Sequence, residues 1–525
     1  MHEFIARYRE SITGTLSGFD RVVFRGTLRS IAYADGMRCY LQRNDILLED
    51  FGSHAERVSG LLKRSSLAES KGLGRPSEYL ASAQMNKEEL ARQIAERDGI
   101  EQGLICVLRS VEPCQSFDIF RNADEKKLEL VARQRKCLFL YHYGIDPRFG
   151  FFNARIQTWF PFTIQICING REWLGRQMQQ AGIGYLKADN CFPWVEDWTA
   201  AQLLLDEQLK TDWPQVLGRI AQQLNPAHDQ IFARYPVQYY WSTYQTEWAI
   251  DVCFGEAARL ESLYPRLVHH GMTHLASADV MRYLGKRVRL DGCVPANFAG
   301  QVVSTLKQRH EGVRIKHVVN GNSVKLYDKA FTPAGSVLRA ETTIQNGDDL
   351  RVYRPAEGGP KDQKKWRRLR RGIADVHRRA EISRKAAERY LDGFSTVDDD
   401  MTVEQLISRI CTRTKWHDRS VRALHPFDQD RQLLSAVIRG EYTLTGFRNR
   451  DLQAAFFSVP AHSVHEHRRR SAWVSRQLRL LRAHGLITKI PGTHRYRLTP
   501  AGTTLITAVL AALGATTRAL TAMAA

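Results

Sequence analysis

The first third of the chain combines helical and extended hydrophobic patterns. Asn86 and the acidic residues after it predict a capped helix over 86–98, which Gly99 ends. The apolar run 104–108 follows at once and predicts a buried strand. A helix followed by a buried strand indicates an α/β or α+β fold.

From residue 136 the pattern becomes extended and aromatic, and further helices follow. The predicted strands of this part are 137–143, 151–159, 162–168, 313–319, 323–327, 337–344 and 350–353. The predicted helices are 172–180, 199–224 and 255–284, the last interrupted near Pro265. We therefore predict an α+β protein whose large mixed α/β body contains antiparallel sheets.

The segment Pro355–Pro360 reads Pro-Ala-Glu-Gly-Gly-Pro and predicts a linker. Residues 361–389 then carry 12 Lys or Arg against 4 Asp or Glu, a net charge of +8. Because the apolar positions Trp366, Leu369, Ile373 and Val376 recur at intervals of three and four, we predict an amphipathic basic helix. Its candidate nucleic-acid contacts are Lys364, Lys365, Arg367, Arg368, Arg370 and Arg371.

The C-terminal part predicts three helices and a basic hairpin. The third helix spans 471–483, and its apolar positions would face a core while its polar positions face outward. His484-Gly485 ends this helix, and a Pro491-Gly492 turn centres the hairpin. The candidate nucleic-acid contacts are Arg468, Arg469, Arg470, Ser471, Ser475, Arg476, Arg479, Arg482, Lys489, Arg495 and Arg497.

The phrase "LLRAHGLI…HRYRLTPAG" resembles bacterial winged helix-turn-helix regulators of the MarR and ArsR types. The resemblance implies a recognition helix in the major groove and a wing on the backbone or minor groove. An alternative use of such a domain is protein contact or domain packing. We thus predict four parts: an α+β domain at 1–135, an aromatic-rich α+β domain at 136–355, a basic helical linker at 356–425 and a winged helix-turn-helix domain with a C-terminal helix at 426–525.

Four carboxylates of the body are candidate catalytic residues, although no recognised catalytic motif marks them. Asp20, Asp146, Asp328 and Glu341 could converge on Mg²⁺, because phosphodiester chemistry with metal ions uses carboxylates from separate strands. Residues 323–344 are similar to a strand pair of rolling-circle replication initiators, with Lys325, Tyr327 and Glu341 near one another. The chain departs from that family in its His-x-His sequence, which is His465-Glu466-His467. The alternative for this strand pair is a cross-strand ladder that stabilises a sheet.

The distribution of charge along the chain indicates which part binds a partner and what class of partner it is. The 525 residues carry 76 Lys or Arg and 56 Asp or Glu, a net charge of +20, of which residues 361–389 and 426–500 supply +8 each. The body is therefore nearly balanced, and the excess charge indicates a polyanionic partner for the C-terminal part. The phrases "GFDRVVFRGTL", "RIQTWFPF" and "CINGREWL" resemble an uncharacterised bacterial family, which implies no activity.

We predict a bacterial protein that binds nucleic acid, with double-stranded DNA as the expected partner, and that acts as a regulator or as an accessory factor of replication or of a mobile element. One alternative is a metal-dependent nuclease, nickase or transposase-like enzyme; another is an RNA-binding protein. We expect no cofactor, except Mg²⁺ under the nuclease alternative, and no resident metal otherwise. No apolar run reaches the roughly 20 residues that span a bilayer. A cytoplasmic protein is expected, and a homodimer is compatible with the sequence.

Overall fold

The computed structural model describes residues 1–82, 85–273, 275, 277–286, 301–309, 312–356, 358–360, 362–395, 403–417, 419–439, 442 and 446–517. The helices are α1 His2–Arg7, α2 Ala34–Arg43, α3 Phe51–Gly72, α4 Lys87–Arg97, α5 Gly170–Ala181, α6 Trp198–Asp206, α7 Trp213–Leu224, α8 His228–Ile231, α9 Ala257–Thr273, α10 Ser277–Tyr283, α11 Val376–Asp392, α12 Val403–Ser408, α13 Arg431–Val437, α14 Asn449–Phe456, α15 Val464–Ala483 and α16 Pro500–Gly514. None of these helices combines the length and hydrophobicity that crossing a membrane requires.

The strands are β1 Ile12–Thr27, β2 Ser77–Tyr79, β3 Gly103–Asn122, β4 Lys127–Asp146, β5 Gly150–Gln157, β6 Ile164–Asn169, β7 Tyr185–Ala188, β8 Cys191–Val195, β9 Tyr240–Phe254, β10 Val302–Arg309, β11 Gly312–Val319, β12 Asn322–Thr332, β13 Gly335–Ile344, β14 Arg351–Arg354, β15 Lys365–Arg368, β16 Thr414–Trp416, β17 Arg419–Val421, β18 Ile487–Lys489 and β19 Tyr496–Leu498. Eleven of them form one sheet in the order β10-β11-β12-β13-β9-β1-β6-β5-β4-β3-β2. Its hairpins are antiparallel, and β2 pairs parallel with β3. The predicted α+β class is confirmed, and the structure has one large, mostly antiparallel sheet where antiparallel sheets were predicted.

The chain divides into two compact units, each built from separate segments. The first unit takes its described residues from Met1–Thr13, Val252–Thr342 and Lys385–Ala525, and the second from Gly14–Asp251 and Thr343–Arg384. The predicted boundary at 135/136 falls inside β4, because β3 and β4 pair along twenty-residue strands. The predicted boundary at 355/356 falls in the connection between β14 and β15, which pair with each other.

In the second unit, local caps and apolar faces fix the helices against the sheet. The Asn86 side chain accepts a hydrogen bond from the Glu89 amide and so caps α4, as the sequence predicted. Asn169 caps α5 in the same way, accepting from the amides of Arg171 and Glu172. A cluster of buried side chains joins α4 to β3, β4 and β5: Ala91, Ile94, Ile105, Leu108, Tyr143 and Phe151.

In the first unit, a distant residue caps the first helix. The Asp392 carboxylate accepts hydrogen bonds from the amides of Glu3 and Phe4, at 3.0 and 3.1 Å from Oδ1. These amides belong to the first turn of α1, where no intrahelical acceptor exists. A segment at residue 392 therefore completes a helix that begins at residue 2.

Two predictions about helices need correction. Pro265 does not interrupt its helix, because α9 runs continuously from Ala257 to Thr273 around it. The basic segment 361–389 is not one helix: residues 365–368 form β15, a short 3-10 turn spans Ile373–Asp375, and α11 begins only at Val376. Pairing with β14 satisfies the backbone of β15, and this long-range pairing overrides the local helical spacing.

Candidate nucleic-acid interface

Helices α13 to α16 and the hairpin β18–β19 surround one apolar cluster in the C-terminal region, defined as the described residues of 426–517. Its most buried members include Leu434, Val437, Leu452, Val474, Leu478, Leu481, Ile506 and Val509. Phe447, just before α14, exchanges two backbone hydrogen bonds of 2.8 Å with Tyr496 of β19. The order along the chain is therefore helix, bridge, two helices, two-stranded hairpin and helix.

Gly446 allows this bridge to form. Its φ angle is +64°, a conformation that side chains with a Cβ rarely adopt. A Cβ atom at this position would lie 2.2 Å from the carbonyl oxygen of Tyr496. The close approach of the chain before α14 to the hairpin thus depends on glycine.

Helix α15 is longer than the sequence predicted. It begins at Val464, not at residue 471, because Ser463 caps it by accepting a hydrogen bond of 3.1 Å from the Glu466 amide. Arg468, Arg469 and Arg470 consequently lie inside the helix rather than ahead of it. Val474, Leu478 and Leu481 face the apolar cluster, as the spacing predicted.

The opposite face of α15 carries five of the eight contact residues predicted on this helix. Arg468, Ser475, Arg476 and Arg479 recur at i, i+7, i+8 and i+11, so they share one side of the helix, and all four are exposed. Arg469 is exposed at the edge of the same face. Among the described residues, no carboxylate makes an ion pair with Arg468, Arg469, Arg476 or Arg479. We call Arg468, Arg469, Arg476 and Arg479 the arginine face.

The structure separates the other predicted contacts from this face. Arg470 donates to Glu466 Oε1 at 2.5 Å and to the Val459 carbonyl at 2.6 Å, and its guanidinium lies 4.6 Å from the centre of the Phe457 ring. Arg482 lies over the ring of Trp416 at 5.2 Å. These two arginines hold the C-terminal part of the unit together, so their guanidinium groups are not presented to a partner.

Three predicted contact residues make hydrogen bonds inside the C-terminal region. The Ser471 hydroxyl donates to the side-chain oxygen of Asn449, and the Asn449 amide group donates in turn to the Ser475 hydroxyl at 2.8 Å. Arg495 donates to the Gly446 carbonyl at 3.1 Å. In the hairpin β18–β19, Lys489 and Arg497 keep exposed side chains. The hairpin therefore offers two of its three predicted cations.

The basic segment 361–389 also differs from its prediction because several of its arginines are paired with carboxylates. Arg370 and Arg378 donate to the carboxylate of the fully buried Asp375, with contacts of 3.3 and 2.6 Å. Burial acts to raise the pKa of Asp375, but its hydrogen bonds with Arg370 and the nearby guanidinium charges outweigh burial and lower it. Arg371 pairs with Asp348 at 3.0 Å. Of the six predicted contacts, Lys364, Lys365, Arg368 and the ion-paired Arg371 are exposed, while Arg367 and Arg370 are half-buried.

Two carboxylates of the second unit lie close together. Asp20 on β1 and Glu247 on β9 each offer an oxygen within 4.8 Å of the other, and these strands are neighbours in the sheet. The Asp20 residue is 5% exposed and accepts a hydrogen bond of 2.6 Å from Asn190. The Arg21 guanidinium approaches Glu247 to 4.0 Å. Such a pair of sheltered carboxylates has the chemistry of a divalent-cation ligand set.

Glu341 lies in the first unit, on β13, and is 2% exposed. Its two oxygens accept from the Lys325 ammonium and the Tyr327 hydroxyl, both on β12, so the predicted cross-strand cluster is present. Burial acts to raise the pKa of Glu341, but the charge and hydrogen bond of Lys325 and the hydroxyl of Tyr327 outweigh it and lower the pKa to about 2. Glu341 is therefore ionised in a buried network.

The remaining two candidate carboxylates have other roles. Asp146 accepts from the amides of Arg148 and Phe149 at 2.8 and 3.0 Å and pairs with Arg219 at 2.9 Å. These contacts close the turn between β4 and β5. Asp328 alternates with Tyr327 along β12 and so points to the other side of the strand. Burial raises the pKa of Asp328 to about 6.

Sequence reasoning missed the place of Glu247 beside Asp20 and the exposure of Trp366. Glu247 stands between aromatic and polar residues of β9, and only its strand pairing brings it to Asp20. Trp366 was assigned to the apolar side of a helix but is 64% exposed on β15. No family model matches the chain, and neither a curated protein nor a solved structure matches it.

Proposed function

We propose that the protein binds double-stranded DNA through its C-terminal region, which we interpret as a winged helix-turn-helix. The observation that carries this proposal is the arginine face of α15, which lies opposite the buried apolar stripe and has no acidic partner among the described residues. Unpaired cations along one helix face repel one another and are favoured where a polyanion neutralises them.

The dimensions of α15 fit the major groove of B-form DNA. An α-helix is about 10–12 Å across with its side chains, and the major groove is about 12 Å wide. The guanidinium group donates two parallel hydrogen bonds to guanine edges or to phosphate oxygens. Arg476 and Arg479 therefore supply base or phosphate contacts, and Arg468 and Arg469 extend the contact along the backbone.

The hairpin β18–β19 supports the same interpretation. Lys489 and Arg497 are exposed on its two strands, and the Phe447–Tyr496 bridge fixes the hairpin to the chain before α14. A fixed hairpin with outward cations suits contact with phosphates beside the recognition helix. A bacterial regulator, or an accessory factor of replication or of a mobile element acting in the cytoplasm, would use such a module.

The proposal is tested by the affinity of the full-length protein for a duplex, measured by fluorescence anisotropy. The double variant Arg476→Ala/Arg479→Ala should bind at least about tenfold more weakly, because each lost guanidinium contact removes charge-assisted hydrogen bonds. The matched control is Arg133→Ala/Arg234→Ala, which removes two charges whose side chains are 67% and 66% exposed elsewhere. This control should bind the duplex like the parent.

Equal affinities of the two double variants would contradict the proposal. The same titration with an RNA duplex and with single-stranded RNA separates the RNA-binding alternative. If RNA is bound tighter than DNA and the loss on Arg476→Ala/Arg479→Ala is confined to RNA, the partner is RNA. A stable complex with another protein through α15, without nucleic-acid binding, would favour the use of this region for protein contact.

A second candidate function, metal-dependent cleavage of phosphodiester bonds, is favoured by the Asp20–Glu247 pair. Asp20 and Glu247 stand on β1 and β9, which are neighbours in the sheet order. Carboxylates on adjacent strands are the usual ligands of Mg²⁺ or Mn²⁺ in nucleases, where the ion stabilises the charge on the phosphate. Under this candidate function the ion would be Mg²⁺ and the ligands Asp20 and Glu247.

The cleavage hypothesis is tested with supercoiled plasmid in the presence of Mg²⁺ or Mn²⁺. Asp20→Asn and Glu247→Gln should each abolish nicking, while Asp45→Asn, a carboxylate that is 84% exposed, should not change it. Cleavage that persists in both Asp20→Asn and Glu247→Gln would exclude this pair as the catalytic ligands. Binding of DNA without cleavage of plasmid by the parent protein would favour the non-enzymatic function.

A further inference from the structure

The small hairpin β14–β15 in the second unit presents an unusual outer face. Arg351 pairs with Arg368 and Tyr353 with Trp366 across the two antiparallel strands. Because directly opposed residues point to the same side and neighbours alternate, these four side chains form one face. We call Arg351, Tyr353, Trp366 and Arg368 the aromatic–arginine patch.

The inner face of the hairpin is firmly packed. Val352 is buried with Ile344, Leu350 and Leu369. The Arg354 side chain is buried as well, and its guanidinium donates to the carbonyls of Pro355 and Arg368 at 3.2 and 3.1 Å. The patch is therefore held on a fixed support and its exposure follows from the register of the strands.

Each half of the patch is unfavourable in water without a partner. Tyr353 and Trp366 are 58% and 64% exposed, although their rings contact each other with centroids 5.7 Å apart. Large aromatic rings placed together on a surface indicate a binding site more often than isolated ones. Arg351 and Arg368 are like charges directly across the strands, an arrangement that destabilises a sheet unless an anion lies between them.

We propose that the aromatic–arginine patch binds unpaired nucleic acid, with single-stranded DNA as its ligand. The faces of Tyr353 and Trp366 would stack with successive bases, and Arg351 and Arg368 would pair with the adjoining phosphates. Bases stack on aromatic side chains without regard to sequence, and cations beside them follow the backbone. Lys364, exposed just before β15, extends the positive charge along the path of the strand.

The composition of the hairpin connection argues against a lipid surface as the ligand. A loop that inserts into a bilayer carries large apolar residues at its tip, as interfacial anchors do. The connection Pro355–Lys364 reads Pro-Ala-Glu-Gly-Gly-Pro-Lys-Asp-Gln-Lys and contains none. The aromatic rings lie on the paired strands and not at the tip of the hairpin. On the strands, a flexible polyanion can reach both rings and both arginines.

The patch is tested with the full-length protein and a labelled oligothymidine. The double variant Tyr353→Ala/Trp366→Ala should bind the oligonucleotide about tenfold more weakly or worse, since each base loses its stacking partner. Tyr353→Phe/Trp366→Phe keeps two aromatic faces and should retain most of the affinity. The control Tyr79→Ala/Phe120→Ala removes two aromatic rings of similar exposure, 56% and 57%, and should bind like the parent.

A direct signal comes from Trp366 itself. The oligonucleotide should quench part of the tryptophan fluorescence of the parent protein, and that part should be missing in Trp366→Phe. The inference is overturned if Tyr353→Ala/Trp366→Ala, with an unchanged thermal unfolding temperature, binds oligothymidine like the parent. It is equally overturned if that variant loses only its binding to phosphatidylserine vesicles, which would assign the patch to a membrane.

Binding of oligothymidine by the aromatic–arginine patch can be measured separately from duplex binding by α15. The variant Tyr353→Ala/Trp366→Ala should bind duplex DNA like the parent, because duplexed bases offer no free face for stacking. The variant Arg476→Ala/Arg479→Ala should in turn keep the fluorescence quenching by oligothymidine. Loss of one activity without the other therefore tells which of the two proposals fails.

Discussion

Arg470 and Glu466 lie one turn apart on α15, and Arg470 Nη2 approaches Glu466 Oε1 to 2.5 Å. The same guanidinium donates to the Val459 carbonyl and contacts the ring of Phe457. Arg468, two positions earlier, points to the other side of the helix and is exposed. Three consecutive arginines thus have two different roles, and the helical period of 3.6 residues separates them.

We expect Arg468→Ala to change DNA binding and Arg470→Ala to change the stability of the fold. Arg468→Ala should reduce the slope of log K against log salt concentration for duplex binding by about 0.9, the contribution of one phosphate. Arg470→Ala should leave that slope unchanged and lower the thermal unfolding temperature, because it removes the contacts with Glu466, Val459 and Phe457. Salt titrations and calorimetry check the two expectations. An equal loss of slope in both variants would show that Arg470 also contacts DNA.

Substitution within the buried pair of Lys325 and Glu341 should lower the unfolding free energy strongly. Glu341→Gln removes one charge of a buried ion pair, which typically costs about 3–5 kcal/mol of unfolding free energy. Urea unfolding at pH 7 measures the loss. The double variant Lys325→Met/Glu341→Leu should be more stable than Glu341→Gln, because it leaves no unpaired charge. If the double variant is the less stable of the two, the pair contributes more than its charges.

The same carboxyl predicts an acid-dependent loss of stability. The pKa of Glu341 is lowered from 4.5 to about 2 in the folded protein. Its contribution is therefore complete above pH 4.5 and is lost as the pH falls from 4.5 towards 2. The difference in unfolding free energy between the parent and Glu341→Gln should shrink when urea unfolding is repeated at pH 3. A difference that stays constant would contradict the ionised state of Glu341.

Asp328 predicts the reverse dependence on pH. Its pKa is raised from 3.8 to about 6, and Oδ1 is buried without a hydrogen-bond partner among the described residues. The folded state thus favours the protonated carboxyl, so its contribution is complete below pH 3.8 and is lost as the pH rises through 6. Asp328→Asn should raise the unfolding free energy by about 1–3 kcal/mol at pH 8. At pH 3.5 the variant and the parent should be equally stable, and Asp45→Asn serves as the exposed control.

Local signals in the sequence predicted much of the fold. Asn86 caps α4 as predicted, and Gly99, the predicted end of that helix, follows it with a φ angle of +60°. The buried stripe of α15 at Val474, Leu478 and Leu481 also follows from spacing alone. These features depend on residues within one turn or a few helical turns, so a single sequence contains them in full.

Features that depend on distant segments were not predictable in the same way. The spacing of Trp366, Leu369, Ile373 and Val376 matches a helix, but pairing with β14 makes a strand of the first part. The Asp20–Glu247 pair joins positions more than 200 residues apart, and no local pattern marks Glu247 as its partner. The candidate site was predicted where helical spacing decides exposure, on α15, and only in part where strand order decides proximity.

The capping of α1 by Asp392 has a consequence for the timing of folding during synthesis. The amides of Glu3 and Phe4 receive their acceptor only after almost 390 further residues have been translated. At about 5–20 residues per second, the ribosome needs on the order of 20 to 80 seconds to reach that residue. The N-terminal helix of six residues is too short to persist alone in water over this interval. It therefore forms only after α11, which ends at Asp392, has been synthesised, although helices α12 to α16 of the same unit follow still later in the chain.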